Sequence, residues 1–131
     1  MNKYPLPSNE PQVDEAAALA ALDGSRELLQ DLALMFCEDA PAVLLELRTA
    51  VEADDPAAAR RAAHSLKGLA ATFYARPTTE LAQRLELEAA DGRLETFQDG
   101  GLERLDAAVQ DLMAELKARN LVDASGGPQD L

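Results

Sequence analysis

The chain has no tryptophan, one cysteine, one histidine and few aromatic residues of any kind. A single thiol, Cys37, cannot close an intrachain disulfide, so a disulfide-stapled fold is excluded. Cys37 reads as a small hydrophobe on a helix rather than a reactive thiol, and a reducing, cytoplasmic setting suits it. Strand-favouring β-branched and aromatic residues are scarce, whereas the helix formers alanine and leucine abound. That balance argues for packed helices. No apolar run approaches the ~20 residues needed to span a bilayer. The N-terminus, MNKYPLPSNEPQVDE, lacks the apolar stretch and cleavage site of a signal peptide. Positive charge is also short: 12 Lys and Arg stand against 24 Asp and Glu, a net charge of -12. Such a chain does not bind nucleic acid or an anionic membrane through bulk electrostatics.

The 131 residues fit one domain with one modest core. Pro5, Pro7 and Pro11 among polar residues mark 1–12 as a flexible arm, and a polar, glycine-containing end marks 122–131 as a disordered tail. Between them, 13–121 reads as helical throughout, without an internal repeat. A short helix spans about Asp14 to Leu22 and stops at Gly24. Ser25 caps a second that runs to about Asp39, with Leu28, Leu32, Met35 and Phe36 on its core face. Pro41 suits the first position of a third, carrying Val43, Leu44, Leu47 and Val51. Asp55-Pro56 starts a fourth that runs to about Tyr74. Pro77 opens a fifth, ending near Gly92, and Asp99-Gly100-Gly101 precedes a sixth with Leu102, Leu105, Val109, Leu112 and Leu116 at core spacing. Short loops make neighbours antiparallel. The expected fold is all-α: an up-and-down antiparallel four-helix bundle with one or two additional N-terminal helices.

The fourth helix holds His64. At 100° per residue, Ala57, Arg60, Arg61, Lys67, Gly68 and Ala71 fall within roughly 60° of it, while Ala62, Leu66, Leu69 and Phe73 lie opposite. The apolar side is the core side, so His64 is expected to face solvent. Its neighbours Ala57, Gly68 and Ala71 are very small. A mid-helix glycine costs roughly 1 kcal/mol relative to alanine, and close approach of another molecule is a good reason for one. From Pro56 to Arg84 the charged residues are Arg60, Arg61, Lys67, Arg76 and Arg84 against Glu80 alone, a basic island in an acidic chain. Such an island suits an anionic adduct on the imidazole and a partner with an acidic pocket.

The run His64-Ser65-Leu66-Lys67-Gly68, preceded by Arg61-Ala62-Ala63, resembles the signature of the histidine-containing phosphotransfer (HPt) domains of bacterial two-component phosphorelays. Phe73, Ala75 and the run Glu80 to Glu86 fall where that family has its second motif helix. The resemblance covers roughly Asp23 to Leu116. It implies that His64 is the phosphoacceptor, that Lys67 stabilises the phosphoryl group, and that Gly68, with Arg60, Arg61 and Ala71, meets a docking partner. That partner is the receiver domain of a response regulator or hybrid histidine kinase. The chain departs from the pattern at Tyr74, where the family often has glycine, which bears on partner specificity.

The resemblance implies a phosphoryl carrier without kinase activity or cofactor of its own, the divalent metal arriving with the receiver. A neutral imidazole is nucleophilic enough to take a phosphoryl group from a receiver aspartate and hand it to another. No glycine-rich phosphate loop or ATP site is visible. One alternative is an adaptor of the same fold that binds a receiver or kinase without being phosphorylated. Another is a hydrolase, which lacks support because no carboxylate lies near His64 on its own helix face and Ser65 points about 100° away. No helix shows a spare apolar stripe, so a monomer is expected. Met1 and the two polar ends favour a separate protein over an excised domain.

Overall fold

The computed structural model describes residues 11–122. The arm at 1–10 and the tail from 123 lie outside the described residues. Among the described residues five helices follow one another: α1 (Glu15–Ala21), α2 (Arg26–Glu52), α3 (Pro56–Ala71), α4 (Arg76–Ala90) and α5 (Leu102–Ala118), the last entered through a kink within Phe97–Gly101, where Asp99 and Gly100 leave helical geometry. No strand occurs among the described residues. The expected all-α up-and-down bundle is what the chain forms. Helices α2 to α5 make the four members, and α1 packs on α2.

Capping fixes three helix starts. The side chains of Asp14, Ser25 and Asp55 each accept a backbone N–H three residues on, from Ala17, Leu28 and Ala58. Pro56, at the first position of α3, gives up an N–H that would be orphaned anyway.

The second and third expected helices are one. Helix α2 runs 27 residues, about 40 Å, straight through Pro41. A proline inside a helix costs about 3 kcal/mol, through its missing N–H and a clash one turn back. Here its ring sits on the exposed side. On the other side Leu29, Ala33, Phe36, Ala40, Leu44 and Leu47 form one unbroken buried line. Burying a large aliphatic side chain contributes about 1.5–3 kcal/mol, so Leu44 and Leu47 together outweigh the proline.

That buried line also corrects the core face of the first half of α2. Leu28 and Met35 are exposed, and Leu32 is only partly buried. With Leu45 and Leu87 also exposed, the helices do carry spare apolar surface.

The corner after α3 positions the site. The helix ends at Ala71, three residues short of the expected Tyr74. Phe73 and Ala75 both turn into the core, and the Phe73 ring meets Phe36 edge-on at 5.7 Å between centroids. The Phe73 carbonyl also accepts the N–H of Asp14 at 3.1 Å, which ties α1 to the corner. With both neighbours held inward, Tyr74 is left outside at φ 53°.

At both ends of the chain the folded part runs slightly wider than expected. Gln12 donates from its backbone to Glu115 and from its side chain to the Ala108 carbonyl. Val122 is fully buried. Cys37 is half-buried on α2, and burial pushes its thiol pKa up, in keeping with a packing role.

Candidate functional site at the α3–α4 hairpin

Helix α3 buries Ala59, Ala62, Ala63, Leu66 and Ala70. These five define its inner face and turn His64 outward, where its side chain is 65% exposed. Arg60, Arg61, Gly68 and Ala71 are exposed around it. The two arginines make no ion pair among the described residues, so their charge is directed at solvent.

Helix α4 supplies what the imidazole rests on. Glu86 Oε2 lies 2.9 Å from His64 Nδ1. A carboxylate only accepts, so Nδ1 carries the proton and donates it. Nε2 then holds the free lone pair. The other oxygen of Glu86 is 2.7 Å from Lys67 Nζ, and Lys67 donates a further hydrogen bond to Gln83 Oε1 at 2.9 Å. The Glu86 side chain is only 12% exposed. Burial alone pushes its carboxyl pKa up. The hydrogen bonds and charges of Lys67 and His64 outweigh this and hold it below the ordinary value of 4.5.

Lys67 is therefore committed to α4 rather than standing free beside Nε2. Among the expected site residues, His64, Arg60, Arg61, Gly68 and Ala71 share the open face, while Lys67 is turned to its rim. Beyond its own helix backbone and chain neighbours, no described atom lies within 4 Å of where a Cβ on Gly68 would stand. The fold does not need glycine there. By contrast, a Cβ on Gly101 would meet the Thr96 carbonyl oxygen at 2.5 Å, a close approach that explains that glycine from within.

On the far side of His64 an open groove of about 610 Å³ separates α3 from α2. Ser65, Gly68, Leu69 and Thr72 form one wall, and Asp39, Ala42, Val43 and Glu46 the other. The acceptor face is thus basic along α3 and acidic along α2. Among the described residues no group of three His, Cys, Asp or Glu side chains converges to hold a metal ion.

Glu86 and Gln83 carry the site's second layer, and neither has a role in the reading of the sequence, which considers carboxylates on the helix of His64 alone. A signal was available. The α3–α4 hairpin is nearly symmetric about Ala75: His64 stands eleven residues before it and Glu86 eleven after. Lys67 and Gln83 are likewise eight before and eight after. Folding the sequence back on itself at Phe73-Ala75 brings both pairs together.

A family model for the Hpt domain matches residues 31–119, most of α2 through the end of α5. The chain belongs to the Hpt domain family. An Hpt domain is a phosphocarrier module of two-component systems, not a kinase, and the solvent-facing histidine of this Hpt domain lies within the matched segment. No curated protein and no solved structure gave a match to the chain. No helix among the described residues of this Hpt domain is long and apolar enough to cross a membrane.

Proposed function

We propose that this Hpt domain relays a phosphoryl group between receiver-domain aspartates through His64, in the cytoplasm, where two-component receivers work. One observation carries the reading. His64 is exposed, its Nδ1 is tied to Glu86, and its Nε2 makes no bond among the described residues, beside the open groove that His64 and Gly68 line.

The chemistry balances on that arrangement. The Nε2 lone pair attacks the phosphorus of an aspartyl phosphate on the receiver. The N–P bond forms as the P–O bond to the aspartate breaks, and the aspartate leaves as a carboxylate. No proton has to depart, because Nδ1 keeps its own. The ring gains positive charge, which the Glu86 carboxylate opposes at hydrogen-bond distance. Lys67 offsets the charge of Glu86, so the incoming phosphoryl group meets less repulsion. Arg60 and Arg61 provide exposed positive charge on the same face. The receiver brings the acidic pocket and the divalent cation. Return of the phosphoryl group to a second receiver is the same step reversed.

The adaptor reading leaves the bond that fixes the imidazole tautomer and the open glycine without a use. Incubation with a phosphorylated receiver domain separates the two. The relay gives a label on the Hpt domain that is lost in acid and retained in base, and His64→Gln gives none. An unlabelled wild type with intact receiver binding would establish the adaptor instead.

A further inference from the structure

Among the described residues four other than glycine hold a positive φ: Asp23, Asp54, Tyr74 and Asn120, at 54°, 55°, 53° and 61°. Each follows the C-terminus of a helix, α1, α2, α3 and α5 in turn. Aspartate and asparagine tolerate this left-handed conformation because their short polar groups bond locally. Tyrosine does not share that excuse. The buried neighbours Phe73 and Ala75 explain why position 74 is left-handed, but glycine would adopt the same φ without strain.

Nothing among the described residues compensates for the choice. The Tyr74 side chain is 49% exposed. It makes no hydrogen bond or ring contact among the described residues. Backbone strain that the chain itself does not offset persists where function needs the side chain.

The position of Tyr74 says which function. Seven residues of helical rise put Ala71 about 10 Å along α3 from His64, and Tyr74 stands three residues past that helix end. A partner footprint of standard size, about 800 Å² a side, has a radius of about 16 Å, so one centred on His64 reaches Tyr74. The ground between them is bare, occupied by Gly68 and Ala71. Beyond lies an open groove of about 460 Å³ lined by Ala71, Tyr74, Arg76, Thr79, Glu80 and Asp14. Its charged lining is Arg76 against Asp14 and Glu80, and the ring of Tyr74 is its large apolar surface.

We propose that Tyr74 is an anchor for the docking receiver domain and a determinant of which receiver docks. The inference rests on the phosphotransfer reading above. An apolar side chain of the receiver lies over the ring and fills the groove beside it. Rigid amphipathic rings of this kind dominate interface energetics.

The test uses the purified Hpt domain and a panel of receiver domains from the source organism, each phosphorylated by acetyl phosphate. The receiver that charges wild type fastest serves as the probe. Tyr74→Asn and Tyr74→Gly should keep or raise Tm, and phosphoramidate, which needs no docking, should label His64 in them as in wild type. Transfer from the probe receiver should fall about tenfold or more in kcat/KM, mostly through KM, and Tyr74→Phe should stay within about twofold of wild type. Wild-type transfer by the Asn and Gly variants overturns the proposal. So does a Tm lowered by several degrees in both, which would place the role of the ring inside the fold. A wild-type chain that phosphoramidate labels but no receiver charges overturns the phosphotransfer reading itself, and the anchor with it.

Discussion

Two clusters in this molecule look alike on paper. At the hairpin, Glu86 is held by Lys67 and His64. Where the start of α1 meets the end of α5, Glu15 is held by Arg26 and Arg119, and Arg119 also pairs with Glu115. In both Glu86 and Glu15, burial pushes the carboxyl up and cationic partners pull it below 4.5. The difference lies in what is left over. Around Arg119 the bonds go to the chain ends: Val13 donates to Glu115, Arg119 donates to the Val13 carbonyl, and Arg26 to the Arg119 carbonyl. That cluster closes on itself. Around Glu86 one strong acceptor, His64 Nε2, has no bond among the described residues, on a side chain that faces solvent. The same ion-pair chemistry is a latch in one place and a mount for a reactive atom in the other.

Removing the reactive atom breaks the comparison most completely. His64→Gln should abolish phosphotransfer while changing stability by no more than about 0.5 kcal/mol, as for exposed positions generally. Transfer from a phosphorylated receiver and a thermal melt check the two halves. Next in size is access. Gly68→Gln should fold normally, since the new Cβ meets nothing among the described residues beyond its own helix backbone and chain neighbours, yet slow transfer by about tenfold or more by obstructing approach. Rates equal to wild type would remove the assigned reason for that glycine. The mount comes third. Glu86→Gln keeps an acceptor for Nδ1–H but loses the charge that opposes the developing imidazolium, so the transfer rate should fall by about tenfold, or about 1.4 kcal/mol. Single-turnover kinetics from the same receiver measure it.

The parts of this comparison were unequally legible in the sequence. The outward His64 with its small and basic neighbours followed from 100° periodicity alone, because α3 is a regular helix whose core face is uninterrupted. Pro41 misled, because a proline is a local signal and the buried line from Leu29 to Leu47 that overrides it is a tertiary one. Met35 and Leu28 misled in the same way: in a stretch this rich in leucine, two neighbouring faces are apolar, and only packing selects between them. Glu86 escaped because its contact spans two helices. The latch at Arg119 escaped for the same reason, since Glu15 and Glu115 lie about a hundred residues apart.

The smallest effects test whether the two clusters differ in purpose or merely in place. Arg119→Ala should leave the transfer rate at room temperature unchanged. Its partners are partly exposed, so the loss should be about 1–2 kcal/mol, which a melt reads as a Tm lowered by roughly 5 °C. Acid titration sharpens the point. A carboxyl whose folded pKa lies below 4.5 contributes stability that is fully present above that value and is lost as pH falls through the folded pKa. The destabilisation caused by Glu15→Gln should therefore be constant near neutral pH and shrink below pH 4.5, and Glu86→Gln should follow the same course. Urea melts of each variant against wild type between neutral and acid pH provide the curve. If both differences fade in that window but only Glu86→Gln slows transfer, the electrostatics of the two sites are equivalent. The functional distinction then rests on the geometry at His64, a free Nε2 over an unfilled glycine, and not on any special strength of its ion pair.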